Sequence, residues 1–245
     1  VHLLVDNSNT RTKFALDHDG GLSKWRAVIP TAELSPETLI AALADQRFTH
    51  ATICSVVPKA ADLLSSFLKA HLHRVSYQSV LPITIDYPKP AQIGADRLAN
   101  AAAAFKAHGG PAIVIDFGTA VTFDVISKQG AYLGGVIAPG TASLRDYLYT
   151  KTALLPAIQL EEPTSAIGRS TEEAMQVGAV VGYRGLIREI LSAVKSELKG
   201  DPTVIATGGD APLISSGLDT IQILDPDLTM KGILAIGRIN HEFSQ

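Results

Sequence analysis

Apolar and polar positions fall in short blocks along this chain. Leu3-Leu4-Val5 and Lys13-Phe14-Ala15-Leu16 enclose the polar cluster Asp6-Asn7-Ser8-Asn9-Thr10-Arg11-Thr12, a pattern that predicts two strands joined at a tight bend. Ser35-Pro36-Glu37 sets a capping hydroxyl and a first-turn proline before TLIAALADQ, so a helix is expected over residues 36 to about 46. Residues 52–57 read as a strand, and residues 59 to about 72 as an amphipathic helix with His71 and His73 near its end. Residues 83–85 are short and extended. Residues 96–107 have the alanine and leucine content of a helix, which Gly109-Gly110-Pro111 ends.

After that break comes AIVIDFGTAVTFDVI, residues 112–126. Set against the opening stretch at a constant offset of 110, Val5-Asp6 aligns with Ile115-Asp116, and Lys13-Phe14-Ala15-Leu16 with Phe123-Asp124-Val125-Ile126. An apolar strand, a terminal Asp, a small-residue turn with Thr and a second strand thus occur twice, which fits either an internal duplication or two unrelated buried hairpins. The expected division is residues 1–110 and 111–245. A strand is expected over 132–137. Ser170 and Glu173, at capping-box spacing, open a long helix to about residue 200, with a bend near Gly178 or Gly182. A strand over 203–207 meets Gly208-Gly209, and residues 230–240 are again helical. Strands alternate with helices in both halves, so the class is α/β.

With 245 residues, 46% of them hydrophobic, the chain can bury a substantial core. The formal charge of -3, from 21 Lys and Arg against 24 Asp and Glu, provides no basic field for nucleic acid or acidic lipid. Cys54 is the one cysteine, which excludes an internal disulfide or a thiolate metal cluster and suits a reducing compartment. No secretory leader and no apolar run of membrane-spanning length is read, so a cytoplasmic protein is expected.

Asp6 and Asp116 each stand at the end of an expected buried strand beside a turn of small residues. Such a carboxylate suits magnesium through water, with turn amides and Thr hydroxyls receiving phosphate oxygens; it equally suits an Asp capping its own turn. Gly94-Ala95-Asp96-Arg97 sets an acid and a guanidinium together at a helix start. Asp96 there is a base for a hydroxyl proton and Arg97 an anion partner, or Asp96 caps its helix and Arg97 is a surface residue. Gly208-Gly209 admits a nucleotide close to the backbone or is a plain strand-to-helix turn. The histidines show no metal-ligand spacing, and no GxxxxGK[ST] or nucleophile-elbow element occurs.

Together DNSNTRTK, IGADRLANAAAA, VIDFGTAVTFDVI, YLGGVIAPG, IGRSTEEAMQVGAVVGYRGLI and VIATGG, in this order along nearly the whole chain, resemble the type III pantothenate kinases. The resemblance implies an actin-like, Hsp70-like and sugar-kinase-like fold of two duplicated ribonuclease-H-like halves. It also implies ATP-dependent phosphorylation of pantothenate to 4′-phosphopantothenate, the first step of coenzyme A synthesis.

Residue by residue, the resemblance implies that Asp6, Asn7, Ser8, Asn9, Thr10, Arg11, Thr12 and Lys13 form an ATP phosphate-binding hairpin. Gly118 and Thr119 form the second hairpin, with Gly208 and Gly209 on the adenosine side. Asp116 matches a monovalent-cation position, usually potassium, and Asp6 lies near magnesium. Asp96 matches the catalytic base, with Tyr87, Gly94, Ala95 and Arg97 in the pantothenate pocket. Thr171 matches a threonine given to pantothenate across a homodimer interface. One departure stands out: the family's opening turn usually reads D-x-G-N-T, and here Ser8 replaces the glycine. Another small-molecule kinase of this fold, or a nonenzymatic nucleotide-binding regulator, are the alternatives.

Overall fold

The computed structural model describes residues 1–18, 21–198 and 200–242. The chain divides into two compact units, the first formed by residues 1–109, 129–133 and 227–245, the second by residues 110–128 and 134–226.

In the first unit β1 (His2–Asn7) turns back into β2 (Arg11–His18), and β3 (Gly21–Pro30) follows antiparallel to it. Helix α1 (Pro36–Leu43) leads to β4 (His50–Ser55), and α2 (Pro58–Phe67) to β5 (His71–Arg74). The sheet order is β3-β2-β1-β4-β5, with β4 parallel to β1. Successive side chains of a strand point to opposite faces, so central β1 must be apolar on both. Leu3 and Val5 join Phe14, Ile53 and Leu64 on one face; Leu4 joins Ala15, Cys54 and Ala99 on the other.

That second face is covered by α3 (Ala95–His108) and α8 (Leu228–Glu242). The alanine run of α3 lets the helices come close, and a β-carbon at Gly232 would stand 2.9 Å from Ala99 Cα. Strand β6 (Thr84–Ile85) pairs with the start of β9 (Ala131–Pro139), at Ala131 and Tyr132.

In the second unit β7 (Ala112–Phe117) and β8 (Ala120–Ile126) form the second hairpin, and β10 (Thr203–Gly208) lies parallel to β7. Strand β11 (Ile223–Leu224) completes the order β11-β10-β7-β8-β9. The remaining helices are α4 (Thr141–Lys151), α5 (Thr171–Val177), α6 (Tyr183–Leu198) and α7 (Ala211–Ser215). Ile115, Phe117, Phe123, Ile187, Leu191, Val204 and Ile214 make one core. Between α5 and α6, residues Gly178–Gly182 form a π turn where the bend was expected.

Two expectations are corrected. Residues 59 to 72 are not one helix: Leu68 turns to an extended conformation (φ -78°, ψ 93°), and His71 and His73 lie on β5, held by parallel pairing to β4. Pairing partners distant in sequence outweigh local helical periodicity here.

The constant offset of 110 also fails across the bend. Asp6 pairs with Lys13, but Asp116 pairs with Thr122, so the second bend is one residue shorter. Structural equivalence on the return strand is therefore Lys13 with Thr122 and Phe14 with Phe123. A one-residue slip would turn every side chain to the other face, and this register keeps both phenylalanines in their cores.

Candidate active site

In the first unit the site grows from the ends of two elements. Asp6 closes β1, is 6% exposed, and meets Lys13 Nζ across the hairpin at 3.3 Å. Burial raises its pKa above the ordinary carboxylate value; Lys13 opposes that rise and the negative charge of Asp96 adds to it. Asp6 and Asp96 are thus within electrostatic reach of each other.

Asp96 lies in the first turn of α3, where its Oδ1 accepts from the Arg97 N–H at 2.8 Å. The amide and the Arg97 charge favour the ionised carboxylate, as expected for a helix start, but burial outweighs them and the pKa is raised. Gly94 ends the preceding loop against this carboxylate, and Ala95 is buried.

Arg97 lies with its guanidinium carbon 5.8 Å from the centre of the Tyr132 ring, and Tyr87 meets the same ring edge-on at 6.2 Å. Tyr132 therefore joins two residues that the sequence singled out separately. The signal for it was its place at the head of YLGGVIAPG.

The opening bend closes on itself. Ser8 N–H and Ser8 Oγ both donate to the Arg11 carbonyl, each at 3.0 Å, so the serine is used within the turn. The side chains of Asn7 and Thr12, 1% and 0% exposed, bond each other at 2.7 Å, whereas Asn9, Thr10 and Arg11 are exposed.

In the second unit the pairing of β7 with β10 sets Asp116 opposite Thr207 and Phe117 opposite Gly208. Gly208 has φ +97°, and a β-carbon there would meet Phe117 O at 2.5 Å. Thr119 is exposed, its carbonyl accepting from the Gly140 N–H at 3.2 Å, and Gly118 N–H donates to Ala120 O at 3.1 Å. The Thr141 hydroxyl donates to the Asp210 carboxylate beyond Gly209, and Asp210 N–H bonds Phe117 O at 3.4 Å. The sequence singles out none of Gly140, Thr141 and Asp210; only the turn signals APG and GGD mark their places. Thr171 takes no part in these contacts and lines an apolar groove of about 610 Å³ with Tyr147, Leu148, Leu155 and Met175.

A family model for the type III pantothenate kinases matches residues 2–193. The chain belongs to the type III pantothenate kinase family. A type III pantothenate kinase from Akkermansia muciniphila is 53% identical over 240 residues, covering 98% of this chain and 99% of its own. Among solved structures, a Campylobacter jejuni protein described as a Baf family transcriptional activator aligns with TM-score 0.65 at 20% identity, covering 98% and 99% of the two chains. An inorganic polyphosphate/ATP-glucomannokinase from Arthrobacter sp. strain KM aligns with TM-score 0.53 at 15% identity, covering 99% and 100%. These two likenesses establish the actin-like, sugar-kinase-like fold of this pantothenate kinase.

A kinase of this family uses ATP with a divalent metal. The donor chemistry fits such an ion: Asp6 is a buried carboxylate whose ionised form burial disfavours and positive charge favours, as Lys13 Nζ at 3.3 Å already does. Among the described residues no group of three or more His, Cys, Asp or Glu side chains is arranged to hold a metal ion. Among them also, no helix is long and apolar enough to cross a membrane.

Proposed function

We propose that this kinase phosphorylates pantothenate to 4′-phosphopantothenate with Asp96 as its base, and that the opening hairpin from Asp6 to Lys13 receives the ATP phosphates. The observation that carries the reading is the Asp96 carboxylate itself. It is half-buried, raised in pKa, anchored by the Arg97 amide, and next to a guanidinium.

Asp96 takes the proton of the pantothenate primary hydroxyl as its oxygen bonds the γ-phosphorus, and the bond from phosphorus to the bridging oxygen of ADP breaks. A raised pKa brings the base nearer the working pH, where it accepts the proton more readily. Arg97, steadied on Tyr132, pairs with the pantothenate carboxylate, and Tyr87, Gly94 and Ala95 shape that pocket. Lys13 and exposed Asn9, Thr10 and Arg11 meet phosphate oxygens. Thr119, Gly118, Gly208 and Gly209 receive the nucleotide, and Asp116 would hold a monovalent cation, potassium. Asp6 would hold magnesium through water, and the ion would supply positive charge to the phosphates. Electrostatic stabilisation carries most of the rate.

The kinase works as a homodimer in the cytoplasm, with Thr171 of one copy completing the pantothenate site of the other. Exposed Tyr147, Leu148 and Leu154, together with the groove beside Thr171, support that interface. Neither nucleic acid nor membrane is a partner.

The deciding experiment couples ADP formation to pantothenate, with magnesium and with or without potassium, alongside a panel of sugars. Asp96→Asn is expected to lose turnover by roughly 10²–10⁴ while retaining ATP binding. Equal turnover in the two proteins, or a stronger response to sugars, overturns the reading.

A further inference from the structure

Thr31 lies beyond β3, at the start of a short 3-10 turn, yet it grips the opening bend at two points. Its N–H donates to the Thr10 carbonyl at 3.0 Å and its hydroxyl to the Ser8 carbonyl at 2.7 Å. The same hydroxyl stands 3.1 Å from Thr12 Oγ1. Its single proton is already given to Ser8, so Thr12 is the donor in that pair. Thr12 Oγ1 then accepts from Asn7 Nδ2 at 2.7 Å, and Asn7 Oδ1 accepts from Ser55 Oγ at 2.6 Å. Ser55 Oγ accepts in turn from the Val57 N–H at 3.0 Å; the Val57 carbonyl, at 3.2 Å, is the more distant acceptor for the Ser55 proton. Protons along this line all run one way, from Val57 to Ser8, and the line fixes which way the Asn7 amide faces.

The C=O and N–H of a trans peptide point in opposite directions. Tying the Ser8 carbonyl to Thr31 therefore aims the Asn9 N–H away from Thr31. Peptides left untied can turn over and present an oxygen, which repels an anion, in place of a hydrogen.

We infer that Thr31 is a positioning residue for ATP: by anchoring the Ser8 carbonyl it keeps the Asn9 amide hydrogen, and not a carbonyl oxygen, toward the phosphates, while its bond to the Thr10 carbonyl holds the bend in place. This rests on the reading that the hairpin holds those phosphates. The hydroxyl line through Thr12, Asn7 and Ser55 sustains the anchor from the neighbouring strand.

Steady-state kinetics on the full chain, varying each substrate against saturating amounts of the other, test this. Thr31→Val, nearly the same shape without the hydroxyl, is expected to raise the KM for ATP about tenfold, the effect of one to two hydrogen bonds. The KM for pantothenate and kcat stay within about twofold. Thr31→Ser restores the KM for ATP. Should Thr31→Val not fold, Ser55→Ala at the far end of the line decides, with an expected rise of roughly threefold for ATP alone. An unchanged KM for ATP, or an equal rise for both substrates, overturns the inference. Lys13→Met separates the two readings. If it raises the KM for ATP and Thr31→Val does not, the anchor alone falls; if neither changes it, the phosphate-binding hairpin falls as well.

Discussion

Gly94 and Asp96 occupy one space: a β-carbon on residue 94 would stand 2.5 Å from Asp96 Oδ1. Backbone lies farther off, so the cheapest relief is rotation of the Asp96 carboxylate. Gly94→Ala should therefore spare the fold and displace the base. Turnover is expected to fall roughly 10²-fold, the effect of about 1 Å of misplacement, with thermal unfolding nearly unchanged. A kcat equal to that of the unaltered protein would show that Asp96 works from another position.

Gly208 poses the opposite case. Its φ of +97° and the 2.5 Å approach of a β-carbon to Phe117 O involve backbone on both sides, and no side chain can move aside. Gly208→Ala is expected to destabilise the chain by at least about 2 kcal/mol. Urea unfolding followed by circular dichroism reads this directly, and an unchanged midpoint contradicts it.

Asp96 carries a cost to stability. Its folded pKa is raised, so the native state binds its proton more tightly than the unfolded chain, and stability falls as pH rises through the window above 3.8. Asp96→Asn removes the ionisation and should raise the melting temperature at pH 7 while turnover is lost. In the same way the acidic limb of kcat/KM should lie above pH 3.8. Arg97→Met, which removes a charge that favours the carboxylate, should move that limb farther up. A lower melting temperature for Asp96→Asn would show that attraction of the carboxylate charge to Arg97 and its amide outweighs burial.

The opening hairpin was legible because period-two apolar runs and a polar bend are local signals, and α3 because alanine, leucine and a Gly-Gly-Pro stop all agree. Strand β3 went unread: its ten residues alternate only loosely, and it is an edge strand. Local periodicity puts His71 and His73 on a helix, and nothing local reports that β4 pairs with them. In the site, Asp96 and Lys13 could be named from motifs. Thr31 with Thr12, 19 residues apart, and Thr141 with Asp210, 69 apart, could not, since only the folded sheet brings them together. The one-residue shortening of the second bend was hidden for a related reason: sequence offset follows the chain, whereas register follows burial.

His2 supplies an acid-sensitive element in the first unit. Its Nε2 lies 2.8 Å from Thr52 Oγ1, which also meets His241 Nε2 at 3.2 Å, and the rings of His50 and His241 are 4.8 Å apart. Gly237 makes room for it; a β-carbon there would stand 2.6 Å from His2 Cε1. Burial, then the positive charges of His241, His50 and Arg238, push its pKa from 6.5 down to about 3. The unfolded chain thus binds the proton first, so the contribution is whole above pH 6.5 and is lost as pH falls toward 3. At about 1.4 kcal/mol per pH unit, roughly 2 kcal/mol should be gone by pH 5. His2→Gln should lessen the difference in unfolding free energy between pH 7 and pH 5 by that amount. Parallel pH dependence in the two proteins would place the acid sensitivity elsewhere.

Arg184 and Glu162 differ in what each would leave behind. The guanidinium bonds both Glu162 oxygens, at 2.8 and 2.6 Å, and also the carbonyls of Leu213 at 2.6 Å and Ile214 at 3.1 Å. Its side chain is 9% exposed, that of Glu162 56%. Without Arg184, the buried Ile214 carbonyl at the end of α7 loses its donor and the Leu213 carbonyl keeps only the Ser216 hydroxyl, at 2.8 Å, so the loss is expected to be about 2 kcal/mol for Arg184→Met. Without the Glu162 charge, water can take up the exposed side of the guanidinium and Arg184 keeps its carbonyls. Glu162→Gln should therefore cost about 1 kcal/mol or less. The contrast separates a carbonyl clamp from a simple ion pair. In an ion pair the two substitutions would cost the same and both losses would shrink in 1 M salt, whereas the clamp predicts a large, salt-insensitive loss for Arg184→Met alone.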